Sequence, residues 1–195
     1  MDALETASKL HEEAEQILYE RGLDKILGSY GRAWYTGSYA LDTMAWPDID
    51  MIVLKDNPKS LEEFFELGRE VAQMEGMYEL KLWNTLMQPM PNLPRGLYWG
   101  GRLVTGNWKN PWKIDIWVTD EDVLKDSQAY MDRIRGAMDA DSRKVIVEIK
   151  HELLLPEGRT PVGSGYHIYQ AVLFEGMRTL KELRPYLRKQ GIQGV

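Results

Sequence analysis

Apolar residues at the start of the chain recur at steps of three and four. This spacing places side chains on one face of an α-helix, so it predicts a helix over residues 2–20 that ends near Gly22. The apolar positions of this helix are Leu4, Ala7, Leu10, Ala14, Ile17 and Leu18. A second helix is predicted from residue 60 to about residue 75, because Ser60 and Glu63 form a capping box ahead of an apolar face.

Short runs rich in apolar, β-branched and aromatic residues alternate with turn signals in the middle of the chain. They predict five strands, at residues 32–36, 49–54, 78–87, 97–104 and 112–118. The Gly, Asn and Pro residues of the segment 106–111 indicate a turn, so the last two strands are expected to form a hairpin. Residues 88–96 contain three prolines and are predicted to be a loop.

After residue 119 the pattern becomes helical. It predicts two or three helices over residues 120–153, a break at 155–165 and a further helix over 166–188 with a kink at Pro185. The fold is therefore expected to be α+β, with a mixed β-sheet flanked by helices. Residues 1–118 would form the α/β core with its N-terminal helix, and residues 119–195 a helical part packed on that core.

Composition narrows the functional classes. The 195 residues suit one compact domain, and a hydrophobic share of 44% is enough for a sizeable core. A net charge of -6 argues against a long nucleic acid as the main partner. The chain has no cysteine, which excludes disulfides, thiolate metal sites and a cysteine nucleophile. A charged N-terminus and the lack of any long apolar stretch predict a cytoplasmic protein without a membrane span.

Two carboxylates lie one residue apart in the apolar segment Pro-Asp-Ile-Asp-Met-Ile-Val. Because side chains alternate along a strand, Asp48 and Asp50 share one face while Ile49, Met51 and Val53 face the core. Like charges at this distance repel each other, and partial burial increases the cost. A bridging Mg²⁺ would compensate, since this ion prefers carboxylate, phosphate and water oxygens.

A third acid, Asp115, lies on another predicted strand and shares its face with Lys113. If the two strands are neighbours, three carboxylates converge, and two Mg²⁺ ions about 3.5–4 Å apart would fit there. Gly37 and Ser38 follow the first strand, where backbone N–H groups and a hydroxyl can approach a phosphate closely. A phosphate cradle beside a carboxylate-held metal indicates phosphoryl or nucleotidyl transfer.

The Gly-Ser pair, the Asp-x-Asp about ten residues later and the third Asp resemble the DNA polymerase β-type nucleotidyltransferase superfamily over about residues 30–118. The resemblance implies that Gly37 and Ser38 contact the nucleotide phosphates. It also implies that Asp48, Asp50 and Asp115 hold Mg²⁺, with Asp115 able to act as general base. The form of the motif is similar to stand-alone bacterial members such as aminoglycoside nucleotidyltransferases. The implied activity is transfer of an NMP group from an NTP, for example ATP, to a hydroxyl of a small-molecule or protein acceptor.

Several residues have two readings. Many small members of the superfamily carry Arg-Gly or Gly-Thr shortly after Gly-Ser, whereas residues 41–43 here are Leu-Asp-Thr. This departure supports an alternative function, a non-catalytic nucleotide-binding or interaction module. Lys113 either binds phosphate or offsets the carboxylates, and His167 either contacts a base or packs structurally. The hairpin aromatics either stack on a ligand or, as we expect, pack in the protein; they are Tyr98, Trp99, Trp108, Trp112 and Trp117.

Overall fold

A five-stranded mixed sheet forms the centre of the protein in a computed structural model that describes residues 1–55, 57–90 and 93–195. Its strands are β1 (Arg32–Thr36), β2 (Asp48–Leu54), β3 (Met77–Asn84), β4 (Leu97–Leu103) and β5 (Trp112–Thr119). The spatial order is β1-β2-β5-β4-β3. Strands β2 and β5 are parallel and the other neighbours are antiparallel, so the predicted hairpin of β4 and β5 is confirmed.

Eight α-helices surround this sheet in the described residues. They are α1 (Ala3–Glu15), α2 (Leu23–Tyr30), α3 (Gly37–Ala40), α4 (Leu61–Ala72), α5 (Glu121–Ala137), α6 (Ala140–Glu152), α7 (Ser164–Leu173) and α8 (Leu180–Lys189). The predicted α+β class is confirmed. Residues 91 and 92 of the predicted loop lie outside the described residues.

The N-terminal helix agrees with its prediction, with two differences. Its last turn, Gln16–Glu20, is π-helical, and a further helix, α2, follows at once. Gly22 does end the first helix, with φ of +81°. The sequence analysis missed α2 because it has only eight residues and includes Gly28 and Ser29, which are poor helix formers; burial of Leu23 and Leu27 stabilises it instead.

The inner face of the sheet carries the main core. Ile49, Met51 and Val53 of β2 are fully buried, as are Ile114 and Ile116 of β5. They pack with apolar residues of α1, α2 and α4 in one hydrophobic cluster. The alternation predicted for β2 and β5 is therefore confirmed, and it directs the carboxylates of these strands to the opposite face.

Helices α5 to α8 contribute to a second hydrophobic cluster, which Leu41 joins from the loop after α3. The prediction of one helix over residues 166–188 with a kink at Pro185 is wrong. The chain leaves the helix after Leu173, and Gly176 adopts a φ of +69°. A capping box of Thr179 and Glu182 then starts α8, which contains Pro185 in its interior.

The start of helix α4 differs from its prediction. Ser60 is the N-cap of α4, but its side chain makes no capping hydrogen bond within the described chain, so the predicted capping box is wrong. The Glu63 carboxylate lies 3.5 Å from Lys55 Nζ instead.

No helix in the described part of the chain is long and apolar enough to cross a membrane.

Candidate metal centre and nucleotide cleft

The three predicted acids meet on one face of the sheet. Parallel pairing of β2 and β5 places Asp48 beside Lys113 and Asp50 beside Asp115. One carboxylate oxygen from each of the three acids lies within 4.8 Å of the others. The sequence predicted this convergence on the condition that the two strands are neighbours, and the parallel pairing of β2 and β5 meets that condition.

Lys113 lies among these carboxylates. Its Nζ is 3.2 Å from Asp48 Oδ1 and donates a hydrogen bond to Asp115 Oδ2. These contacts support the interpretation in which the lysine neutralises part of the negative charge of the carboxylates. Whether it also binds phosphate stays a prediction.

Tyr98 is a partner of the site that the sequence analysis missed. Its hydroxyl donates a hydrogen bond of 2.8 Å to Asp115 Oδ1, so both oxygens of Asp115 have a donor. Gly100 makes this possible, because a Cβ there would overlap the Tyr98 hydroxyl. A glycine on β4 directly opposite Asp115 was the available signal.

Burial and mutual repulsion shift the acid–base equilibria of the site. Burial raises the pKa of Asp48 well above its usual range, and the Asp50 charge adds to this. Burial and then the Asp115 charge raise the pKa of Asp50 to about 6. Burial lowers the pKa of Lys113, but the charges of the three carboxylates outweigh it, so this pKa lies above its ordinary value.

Gly37 and Ser38 form the first turn of α3, directly beside Asp50. Gly37 has a φ of +65°, and a Cβ at this position would overlap Asp50 Oδ2. Glycine is therefore required here both for backbone conformation and for close approach to a carboxylate. Both residues line the cleft described below.

The residues fit a divalent cation. Three carboxylates supply the oxygen ligands that Mg²⁺ prefers, and two of them, Asp48 and Asp50, line the open cleft. Among the described residues no lysine or arginine nitrogen lies within 4.0 Å of the Asp50 carboxylate, so Lys113 compensates the negative charge only in part.

A cleft of about 830 Å³ opens in front of the carboxylates. Its sheet side is lined by Gly37, Ser38, Asp48, Asp50, Arg102 and Lys113, and its helical side by Tyr130, Lys150, Arg159, Tyr166 and Tyr169. The segment 158–165, which lies in the predicted break between helices at 155–165, contributes much of this second wall. The C-terminal helices therefore complete the cleft.

Lys150 is a buried cation on the helical wall that the sequence analysis missed. Its Nζ donates a 2.7 Å hydrogen bond to the Thr43 carbonyl, and Thr43 Oγ1 lies 2.6 Å from the Tyr169 hydroxyl. Burial lowers the pKa of Lys150 to about 8, against the opposing charges of Asp48 and Asp50. A lysine on the apolar face of α6, next to Ile149, was the only signal in the sequence.

The departure at residues 41–43 has a structural role. Leu41 is buried in the C-terminal cluster, and Thr43 bonds to Lys150 as described. Asp42, with φ of +51°, turns its carboxylate to within 2.7 Å of Arg143 on α6. These residues join the sheet region to the C-terminal helices.

Aromatic side chains are divided between core and cleft. The hairpin aromatics pack in the protein, as expected: Trp112 is fully buried, Trp99 stacks on Phe64, and Tyr98 packs on Trp117. Trp108 donates to Glu13. The cleft instead has Tyr166, half-exposed and stacked on Tyr130 at 5.6 Å.

His167 follows the structural reading, since it packs against Tyr166 and Tyr186. Burial lowers its pKa. Within the described residues it is not part of the cleft lining.

No family model matches this chain, and no curated protein matches it. Several solved structures do match. They include the Cid1 poly(U) polymerase with MgGTP bound (17% identity, 81% of this chain and 48% of that one, TM-score 0.52). A second structure of Cid1, concerned with its RNA terminal uridylyl transferase activity, matches at 14% identity. The match covers 89% of this chain and 52% of that one, with a TM-score of 0.53. The GLD-2/RNP-8 complex matches at 10% identity, over 98% and 72%, with a TM-score of 0.50.

At these identities the likeness shows the fold: the chain has the mixed-sheet fold of nucleotidyltransferases. It spans about half the length of the Cid1 structures that it matches.

Proposed function

We propose that the protein transfers an NMP group from an NTP to an acceptor hydroxyl, with Mg²⁺ held by Asp48, Asp50 and Asp115. The observation that carries this proposal is the convergence of three carboxylates from two adjacent strands, two of which, Asp48 and Asp50, line a cleft of about 830 Å³. When bound, Mg²⁺ supplies Lewis-acid stabilisation of the charge that develops on the phosphoryl group.

The proposed reaction is an in-line displacement. The acceptor oxygen forms a bond to the α-phosphorus, the bond from that phosphorus to the β-phosphate bridging oxygen breaks, and pyrophosphate leaves. Asp115 accepts the acceptor's proton. Tyr98 donates to Asp115 Oδ1 and so helps to fix the orientation of this carboxylate.

Gly37, Ser38 and Lys150 are proposed to bind the triphosphate. The first two begin α3, where backbone N–H groups are free of helical partners. Lys150 lines the same cleft and carries the positive charge that residues 41–43 lack. The base is proposed to stack on Tyr166, whose half-exposed ring is supported from behind by Tyr130.

The acceptor is proposed to be a small molecule or a protein side chain with an anionic group near its hydroxyl. Arg102 on β4 and Gly37 after β1 lie on opposite sides of the acids in the strand order, as attacking and leaving groups must. Arg102 and Arg159 both line the cleft, and neither has a carboxylate within 4.0 Å among the described residues. Two uncompensated guanidinium groups favour an anion such as a phosphate.

The direct test uses NTP labelled at the α-phosphate, with Mg²⁺ or EDTA, and a panel of acceptors. Ribose 5-phosphate and ribose differ only in the anionic group, and an aminoglycoside represents the acceptor class suggested by the sequence motif. We expect label transfer that needs Mg²⁺ and favours the phosphorylated sugar. Binding of the nucleotide in Mg²⁺ without transfer to any acceptor would support the non-catalytic alternative.

A further inference from the structure

The Lys113 ammonium lies in the space where a metal ion would bind. It contacts Asp48 Oδ1 at 3.2 Å and Asp115 Oδ2 more closely, and both residues belong to the cluster in which one carboxylate oxygen of each acid lies within 4.8 Å of the others. Mg²⁺ requires its ligand oxygens at about 2.0–2.1 Å. An ion bound between Asp48 and Asp115 would therefore overlap the ammonium group, and the two cations exclude each other.

We propose that Lys113 is an exchangeable cation: it neutralises the acids when no metal is bound, and moves to the triphosphate when Mg²⁺ replaces it. This inference rests on the function proposed above. It makes binding of Mg²⁺ and of NTP mutually dependent. It also unites the two readings of Lys113, because the residue serves each role in a different state.

The surroundings of Lys113 allow its side chain to move while its backbone stays in place. Its backbone N–H donates to the Pro47 carbonyl at 3.0 Å, and the residue lies within the paired part of β5. The side chain itself is one-quarter exposed and lines the open cleft. Its ammonium lies 5.8 Å from the centroid of the Trp46 ring, which also lines the cleft. Four methylene groups let the ammonium reach towards the cleft without a change in the sheet.

Charge explains why the exchange couples the two ligands. Without metal, the ammonium is the compensating cation in contact with the acids. Mg²⁺ alone would displace it and leave a largely buried lysine without an anionic partner, which weakens metal binding. A triphosphate supplies the missing partner. Because such coupling is reciprocal, Mg²⁺ must strengthen nucleotide binding by the same factor.

Isothermal titration calorimetry on the 195-residue chain tests this exchange. In the wild type we expect Mg²⁺ alone to bind weakly, and a saturating non-hydrolysable ATP analogue to tighten its binding about tenfold or more. In Lys113→Met, which keeps the apolar stem, Mg²⁺ alone should bind about tenfold tighter than in the wild type. The analogue should tighten it by a smaller factor than in the wild type, because only the direct coordination of Mg²⁺ by phosphate oxygens remains. Lys144→Met, on the exposed side of α6, is the matched control and should behave as the wild type.

Thermal melts in EDTA provide a second readout. Lys113→Met should melt below the wild type in EDTA, because three carboxylates lose their neutralising contact, and Mg²⁺ should restore more of its stability than it adds to the wild type.

Two results would overturn the exchange. One is a Lys113→Met protein that binds Mg²⁺ alone no more tightly than the wild type. The other needs no variant: wild-type affinity for Mg²⁺ that the analogue leaves unchanged. Both leave the proposed function standing if Mg²⁺ and nucleotide bind. A wild type that binds neither would contradict the proposed function itself.

Discussion

The two walls of the cleft are built in different ways. On the sheet wall, Asp50 and Asp115 are register partners on adjacent parallel strands, and their backbones are held by ladder hydrogen bonds. On the helical wall, Lys150 reaches its partner Thr43 across 107 residues of sequence, and Tyr169 reaches it across 126. The carboxylate cluster proposed to hold the metal is thus determined by strand geometry, whereas the position of Lys150 and the tyrosines proposed to bind nucleotide depends on how the C-terminal helices dock.

Residues 41–43 are where the two halves meet. Leu41 enters the helical core, Asp42 pairs with Arg143, and Thr43 accepts from Lys150. In the sequence this stretch weakened the case for activity, because it lacks a basic residue. In the structure the same stretch positions a lysine from another part of the chain beside the cleft. The comparison shows that a positive charge at the cleft can come from a distant helix packed against the sheet region as well as from a local sequence motif.

Removal of a carboxylate from the sheet wall should have the largest effect. Asp50→Asn takes away a metal ligand, so we expect Mg²⁺-dependent transfer to fall by about a thousandfold or more. In EDTA the variant should be as stable as the wild type or more stable, because one of three repelling charges is gone. Asp132→Asn, on the exposed surface of α5, is the control.

Activity assays and melts in EDTA and in Mg²⁺ decide this prediction. If Asp50→Asn lowers stability in EDTA by about 1–3 kcal/mol, and Mg²⁺ leaves the wild-type melt unchanged, the carboxylates are structural.

A methyl group added to the sheet wall tests how tightly its parts fit. Gly37→Ala places a Cβ against the Asp50 carboxylate at a φ of +65°, so we expect a loss of about 1–2 kcal/mol in stability together with weaker Mg²⁺ binding. Gly28→Ala, in α2, meets no atom within 4 Å and should stabilise by about 1 kcal/mol. Chemical denaturation of both variants checks this. Equal behaviour of the two would mean that Gly37 is not constrained by Asp50.

A substitution on the helical wall should weaken nucleotide binding much more than it weakens metal binding. Lys150→Met removes the buried charge, and we expect about tenfold weaker binding of a non-hydrolysable NTP, the cost of one charge-assisted hydrogen bond. Affinity for Mg²⁺ alone should change little. Titration calorimetry separates the two ligands, and a variant that loses Mg²⁺ binding while keeping nucleotide affinity would reverse the roles assigned to the walls.

The pH dependence of stability provides a second check on Lys150. Its folded pKa of about 8 lies below the unfolded value, so between pH 8 and about 10.5 the unfolded chain binds more protons. The wild type should therefore gain stability relative to Lys150→Met as pH rises through this window. The difference between the two melts removes the contributions of groups far from residue 150. Tyr169, whose ring lies 5.6 Å from the Lys150 ammonium, has a pKa that burial raises above its ordinary value, so it stays protonated in the folded protein through this window.

The smallest expected effect is the pH dependence of Mg²⁺ affinity and of stability that arises from protonation of Asp50 on the sheet wall. The pKa of Asp50 is raised to about 6, and Mg²⁺ needs the deprotonated form, so lowering the pH from 7 to 5 should weaken Mg²⁺ binding about tenfold. The neutral form of Asp50 stabilises the apo protein fully below pH 3.8, and this contribution is lost as pH rises through 6. The stability advantage of Asp50→Asn should accordingly appear above pH 6 and vanish near pH 3.8.

Strand patterns account for most of what could be predicted. Alternation along short segments gives the inward direction of Ile49 and Ile114, and the turn residues 106–111 give the hairpin of β4 and β5. The meeting of the three acids also requires β2 and β5 to be neighbours, which the sequence analysis could state only as a condition. The short helix α2 and the break after Leu173 were missed, because tertiary burial and a single Gly176 with positive φ decide them, not helix propensity.

By itself, the sequence determined which side chains share a strand face, and hence the three acids, the glycine beside them and the lysine two residues before Asp115. These assignments follow from the alternation of side chains along a β-strand, which repeats every two residues wherever the strand lies in the sheet. Only the tertiary structure decided that Tyr98 reaches Asp115, that Lys113 lies between two acids, and that Lys150 closes the far wall. Each of those contacts joins side chains whose distance is set by strand order and helix docking. The free energy that selects such an arrangement comes from burying apolar faces throughout the protein, and a local pattern does not contain it.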